Sequence, residues 1–283
     1  MHITGLCETR WKKDGNFYCG DHRIYWSGSE KGGECGVAIV LDKKLANSVT
    51  SFNPVNERIM TLRINTKPMP LNLVQVYVPA SSRPIEEAEA FYNVLQSVVE
   101  TLPKKEVNII MGDFNSCVGE GEERVSGIGP YGLGNRNERG DLLANFCQAN
   151  DMVVTNTMFQ QPLRRRWTWL HPDKKRYQID YILIDKAWSS TIHNSKARPG
   201  ADCDSDHNLV SAKVNLKAYK NPKPRTSQRF EIDNFQDDDI KLSYHIEIGN
   251  SFSKLKDEWI IKDSCPDEIW NDIKGVFIEG AEE

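Results

Sequence analysis

The sequence contains no apolar run approaching the ~18 consecutive residues that a membrane-spanning helix requires. Its opening, MHITGLCETR, lacks the basic segment, apolar stretch and small-residue cleavage site of a secretory signal, and the chain reads as intracellular. Seven cysteines, Cys7, Cys19, Cys35, Cys117, Cys147, Cys203 and Cys265, are odd in number and show no paired metal-ligand spacing. Neither a disulfide framework nor a structural zinc is expected, and reduced packing thiols are the default. There is no internal repeat to dictate a solenoid. No base-reading helix is recognisable either, so no target sequence is predicted. What is present, 39% hydrophobic and 27% charged residues over 283 positions, is the composition of a globular protein.

Charge is divided unevenly. From Glu231 onward there are 15 acidic and 5 basic residues, a net charge of -10, which leaves +6 on residues 1–230. A basic body suits a phosphate-rich partner, although +6 is also ordinary for a solvated surface.

Strands are expected over His2–Leu6, Arg23–Ser27, Cys35–Leu41, Glu57–Ile64, Leu71–Val78, Glu106–Met111, Asp151–Thr155, Trp167–Leu170, Tyr177–Ile184 and Leu209–Leu216. In the fifth, Leu71, Leu73, Gln75 and Tyr77 share one face, and Asn72, Val74, Val76 and Val78 share the other. A helix capped by Ser81 or Ser82 carries Ile85, Ala88, Phe91, Leu95, Val98 and Leu102 at helical spacing and closes at Pro103. A second spans Asn137–Asn150, with Leu142, Leu143 and Phe146 inward. Strands outnumber helices by roughly ten to two with the helices interspersed, which predicts two packed sheets with helices outside, an α/β sandwich. Residues 217–230 read as a basic linker. The tail, 231–283, carries two helical patterns, the second opened by a capping box at Ser264–Asp267.

The stretch EVNIIMGDFN, Glu106–Asn115, is the centre of the functional reading. An apolar strand ends in Gly112, whose backbone freedom lets Asp113 and Asn115 point into one cleft. By itself this is also an ordinary turn. Further candidates sit at predicted strand ends: Glu8, Tyr77, Asp180, and the pair Asp206 and His207. A hard divalent cation takes oxygen ligands and needs one or two carboxylates, which Glu8 or Asp206 could supply. Phosphodiester hydrolysis then needs a held water, for which Asp113 and Asn115 suffice, and donors for the phosphoryl oxygens, for which Tyr77 and protonated His207 suffice. Asp180, between apolar neighbours in QIDYILI, is costly to bury unpaired, and could orient the imidazole of His207. Each residue also has a bland alternative: a surface ion pair for Glu8, a core hydroxyl for Tyr77, a turn cap for Ser205–His207.

Taken in order, Glu-Thr, Tyr-x-Pro, Gly-Asp-x-Asn, Ile-Asp-Tyr and Ser-Asp-His resemble the endonuclease/exonuclease/phosphatase superfamily over residues 3–216. Within it, CETRWK, GVAIVLDKK, NERGDLLANFC, RRRWTWLHPD and ARPGADCDSDHNLVSAKV are most similar to the endonucleases of RTE-type non-LTR retrotransposons and their craniofacial development protein 2-like relatives. The resemblance implies a DNase I-like, four-layered sandwich over 1–216 that nicks DNA with Mg2+, or alternatively Mn2+. It implies Glu8 and Asp206 as metal ligands, Tyr77 as a phosphate contact, Asp113 and Asn115 as the water-handling pair, and Asp180 as partner of His207. Family members begin with an Asn-bearing strand and a helix. This sequence starts after both, so an N-terminally truncated domain is expected.

Arg164, Arg165 and Arg166 with Trp169, and Lys174, Lys175 and Arg176, interleave charge with aromatics near the site and are candidate DNA contacts. A solvated basic hairpin is the alternative. A protein partner for the tail helices and a nuclear location are further expectations. Two rivals to the nuclease stand: a phosphatase or phosphodiesterase of the same superfamily, and a nuclear interaction module without catalysis.

Overall fold

The computed structural model describes residues 3–121, 127–201, 205–216, 236–262 and 266–282. The linker expected over 217–230, and Ser264 and Cys265 of the expected capping box, lie outside these residues. The chain divides into two compact units, Met1–Ala218 and Tyr219–Glu283, each described by itself.

The first unit runs β1 (Ile3–Cys7), β2 (Asp14–Cys19), β3 (His22–Ser27), β4 (Val37–Asp42), α1 (Lys43–Ala46), β5 (Val49–Asn56), β6 (Ile59–Ile64), β7 (Leu71–Tyr77), α2 (Ile85–Thr101) and β8 (Val107–Asp113). It continues with α3 (Glu138–Ala149), β9 (Met152–Val154), β10 (Trp169–Leu170), β11 (Arg176–Tyr177), β12 (Asp180–Asp185), β13 (Ile192–Arg198) and β14 (Leu209–Val214). One sheet has the order β1-β4-β3-β2 and a second the order β5-β6-β7-β8-β12-β9; β10-β11 and β13-β14 are two-stranded ribbons. Among the described strands only β7 and β8 pair in parallel, and α2 makes the crossover that a parallel pair needs.

The alternation along β7 builds the layers. Leu71, Leu73 and Tyr77 pack with Tyr25, Val37, Ile39 and Leu41 of the first sheet, so the two sheets meet face to face over this core. Val74, Val76 and Val78 pack on the opposite side with Ala88, Phe91 and Leu95 of α2 and Leu143 and Phe146 of α3. This is the two-sheet sandwich with helices outside that the periodicity predicts. Each fully buried Leu or Phe adds roughly 1.5–3 kcal/mol to holding the layers together.

Local details depart from expectation. Helix α2 starts after Pro84 with no side-chain cap, so neither Ser81 nor Ser82 closes it. Asn137 caps α3 by accepting from the Gly140 N–H at 2.8 Å. Strands β2, β5 and β13 are not among the predicted ones. β2 is a mostly exposed edge whose Phe17 packs on the half-exposed Trp11 and Trp26, and β13, IHNSKAR, buries Ser195 by bonding it to Thr155 at 2.9 Å rather than by hydrophobicity. The single strand expected over Tyr177–Ile184 is two, β11 and β12, broken at Gln178 and Ile179.

The second unit holds α4 (Asp238–Lys262) and α5 (Pro266–Glu282), which meet through the rings of Phe252 and Phe277, 5.7 Å apart. Ile240, Leu242, Ile246 and Trp270 are exposed on them. Among the described residues no helix is long and apolar enough to cross a membrane.

Candidate active site

The register of three adjacent strands sets out the site. Tyr77 of β7 is the partner of Asp113 of β8, and Asp113 is the partner of Asp180 of β12. β7 and β8 are parallel, so both deliver their last residue here. β12 is antiparallel and delivers its first. The result is a row of phenol, carboxylate and carboxylate across one end of the sheet, at the ~4.8 Å spacing of paired strands.

Gly112 makes the row feasible. Its φ is 151°, and a Cβ there would lie 1.9 Å from the carbonyl oxygen of Val76. Beyond it, Asn115 turns back with φ 46°; its N–H donates to Asp113 Oδ1 at 2.8 Å, and its Nδ2 donates to Asp113 Oδ2 at 3.1 Å and to the Val78 carbonyl at 2.8 Å. Asp113 is therefore held by Asn115 from two sides. Burial pushes its carboxyl well above the usual range, the charges of Asp180 and Glu8 push further, and His207 opposes them.

Asp180 is fixed through its backbone. Thr168 Oγ1 accepts from the N–H groups of Ile179 and Asp180 at 2.9 and 3.1 Å, and Asn156 Nδ2 donates to the Asp180 carbonyl at 2.9 Å. The Asp180 carboxylate meets His207 Nδ1 at 3.0 Å. His207 arrives from the loop before β14, and its isolated bridge to Trp169 holds it there. Burial alone would lower its pKa, but the bond to Asp180 and the charges of Asp180, Asp113 and Asp206 raise it to about 9. At neutral pH it is an imidazolium.

Glu8 follows β1 in the other sheet with a left-handed φ of 54°. Its carboxylate accepts from the Tyr77 hydroxyl at 2.9 Å and pairs with Arg10 at 3.2 Å. Burial and the negative neighbours Glu8 and Asp113 raise the pKa of Tyr77, which keeps the phenol a donor.

Asp113, Asp180 and His207 form a group whose ligand atoms lie within 4.8 Å of one another. Two crowded carboxylates, one of them buried and strained toward protonation, suit a divalent cation, whose charge would relieve that crowding. Asp206 is not in this group, because its carboxylate accepts from Trp169 Nε1 at 2.8 Å. Glu8 is joined to the group through Tyr77.

The basic loops separate into free and committed side chains. Arg164, exposed, and Arg165, half-buried, stand on a 3-10 turn, Leu163–Arg165. Arg166 instead pairs with Glu120 at 3.8 Å and donates to the Gly132 carbonyl at 3.3 Å. Arg176 lies over the Trp167 ring at 5.4 Å, and Lys175 pairs with Asp173 at 3.3 Å. Lys174, at φ 66°, turns the β10–β11 hairpin that presents Trp169. Three contributors escaped the sequence reading. Arg58 lies 5.0 Å over the Tyr77 ring, and Thr168 and Asn156 anchor Asp180. A lone Thr between two tryptophans was the one available sign.

A two-sheet sandwich with an acidic and imidazolium site at one sheet end defines a DNase I-like protein. Residues 2–207 match the Endonuclease/Exonuclease/phosphatase family, and the chain belongs to that family. It is 41% identical over 239 residues to craniofacial development protein 2 of Bos taurus, covering 84% of this chain and 40% of that protein. The chain thus spans about two fifths of that relative's length. Among solved structures, the endonuclease domain of TRAS1, a telomere-specific non-LTR retrotransposon, superposes with a TM-score of 0.55 at 17% identity, over 76% of this chain and 87% of that one. AP endonuclease LMAP of Leishmania major gives 0.59 at 12% identity, over 76% and 79%. At these identities the likeness is one of fold.

Proposed function

We propose that residues 1–216 are a metal-dependent endonuclease domain that nicks DNA, using Mg2+ with Mn2+ as substitute, and that the domain derives from a retrotransposon. The observation that carries this reading is the Tyr77, Asp113, Asp180 row with His207 seated on it. Membership of a family of metal-dependent nucleases and phosphatases supports the hydrolytic class. The mild basic excess of residues 1–230 favours a nucleic acid over a small-molecule phosphate.

Asp113 and Asp180, with Glu8 or Asp206 after rearrangement of their present bonds, would hold the cation; bound, it supplies a Lewis acid that polarises the phosphoryl oxygen and a bound water of lowered pKa. Asp113 and Asn115 hold the attacking water, and the carboxylate of Asp113 takes its proton as the new P–O bond forms. Asp180 engages Nδ1 of His207 and leaves Nε2 to donate to the phosphate and to the departing oxygen as its bond to phosphorus breaks. Tyr77 donates to a phosphoryl oxygen once its bond to Glu8 is exchanged. Residues 231–283 act as an accessory tail, and a nuclear location follows from the substrate.

The test is nicking of supercoiled plasmid by the purified chain with Mg2+ or EDTA, beside Asp113→Ala and His207→Ala. Metal-dependent nicking lost in both variants is the expected result. A folded protein that leaves the plasmid intact under every metal condition would overturn the reading.

A further inference from the structure

The outer face of the β13–β14 ribbon carries a second feature, away from the catalytic row. Ser195 and Ala197 of β13 are buried, so Lys196 and Arg198 take the opposite face. Their register partners are Ser211 and Leu209, and Lys213 is paired with Asn194 one rung further. Two adjoining hollows run along this face. One, of about 680 Å³, is lined by Arg165, Arg198, Gly200, Leu209 and Ser211. The other, of about 230 Å³, is lined by Asn194, Lys196, Arg198, Ser211 and Lys213.

Four cations thus line the two hollows, and among the described residues no carboxylate does. Among the described residues none of Arg165, Lys196, Arg198 and Lys213 has an ion pair with a carboxylate; Arg198 Nε donates to Ser211 Oγ at 2.9 Å. The crowding is felt at Lys196, whose pKa is lowered by desolvation and by the charges of Arg165 and Arg198. A surface that gathers like charges from a 3-10 turn and two strands, with no ion-paired carboxylate among the described residues, is complementary to a polyanion. Three rungs of the ribbon span about 14 Å, the rise of about four nucleotides along one strand of a duplex. Strand β14 begins at Leu209, two residues after His207 and paired with Arg198, so that end of the strip lies at the rim of the site.

We infer that the Arg165, Lys196, Arg198 and Lys213 strip is a phosphate-backbone track that holds the DNA flanking the scissile bond. The inference takes its substrate from the proposed function. Contacts of this kind position the duplex and carry no base information, so they act equally on all sequences.

The test is equilibrium binding of a labelled 30-base-pair duplex in EDTA by fluorescence anisotropy, over a range of KCl. Lys196→Gln with Arg198→Gln is compared with wild type and with the charge-preserving pair Lys196→Arg with Arg198→Lys. Loss of two phosphate contacts should reduce the slope of log K against log salt by about 1.8 and affinity on the order of tenfold, whatever the duplex sequence. The charge-preserving pair should bind like wild type. An unchanged slope and affinity in the glutamine pair would overturn the track. So would a polyglutamate peptide that binds as tightly as DNA and loses affinity equally, which would assign the strip to an acidic protein. Binding is read without metal: a strip that passes in a protein that never nicks plasmid leaves this inference standing and the nuclease reading refuted, and a nicking enzyme with an unchanged salt slope does the reverse.

Discussion

The hydroxyl of Tyr77, at the end of β7 in one sheet, donates at 2.9 Å to the carboxylate of Glu8, which follows β1 in the other. This bond closes the two sheets over the site. Tyr77→Phe removes the donor while Arg58 retains a ring to stack on. Nicking should fall by about a hundredfold, the typical loss for one donor to a transition-state oxygen. Stability in urea should fall by only about 1 kcal/mol.

His207 gives a pH dependence with a defined sign. Its pKa rises from 6.5 to about 9 on folding, so the imidazolium is stabilised by the native state. That contribution is complete below pH 6.5 and is lost as pH rises through about 9. If protonated His207 is the acid, the nicking rate should decline through the same range. In Asp180→Asn the declining limb should move to lower pH. A limb that stays in place, measured as a pH–rate profile, would remove His207 from that role.

Thr168 is a positioning residue. Its hydroxyl is the acceptor for two backbone N–H groups at Ile179 and Asp180, and it is fully buried. Thr168→Val keeps the shape and leaves both donors unpaired, at a cost of about 1–3 kcal/mol. Thr168→Ser should restore both stability and the wild-type pH–rate limb. A purely structural role would leave the limb of the valine variant unmoved.

Crowding of Asp113 by Asp180 and Glu8 predicts stabilisation by a divalent cation. At a hundredfold excess over Kd, Mg2+ should stabilise by about 2.7 kcal/mol and raise the melting temperature by several degrees. Thermal melts of Asp113→Ala should show no such response.

Gly112 is under the tightest steric constraint at the site. Gly112→Ala sets a Cβ 1.9 Å from the Val76 carbonyl oxygen at a φ of 151°. A loss of about 3 kcal/mol or more is expected in urea unfolding, with loss of the Asp113 geometry.

The sequence by itself determined the layers. The alternation along Leu71–Val78, with Leu71, Leu73 and Tyr77 for one core and Val74, Val76 and Val78 for the other, is a local property of the chain. The order of Glu-Thr, Tyr-x-Pro, Gly-Asp-x-Asn, Ile-Asp-Tyr and Ser-Asp-His was likewise sufficient for the family. Tertiary structure alone decided which of those residues meet. Asp180 joins Asp113 because β12 runs antiparallel to β8, and strand direction is set by pairing that no local pattern records. The same holds for Asp206, drawn to Trp169, and for Arg166, turned in to Glu120, while Arg165 stays on the face shared with Lys196 and Arg198. β13 was illegible for the related reason that its inward Ser195 is satisfied by Thr155, forty residues away, and a hydrogen bond across that distance leaves no period in the sequence.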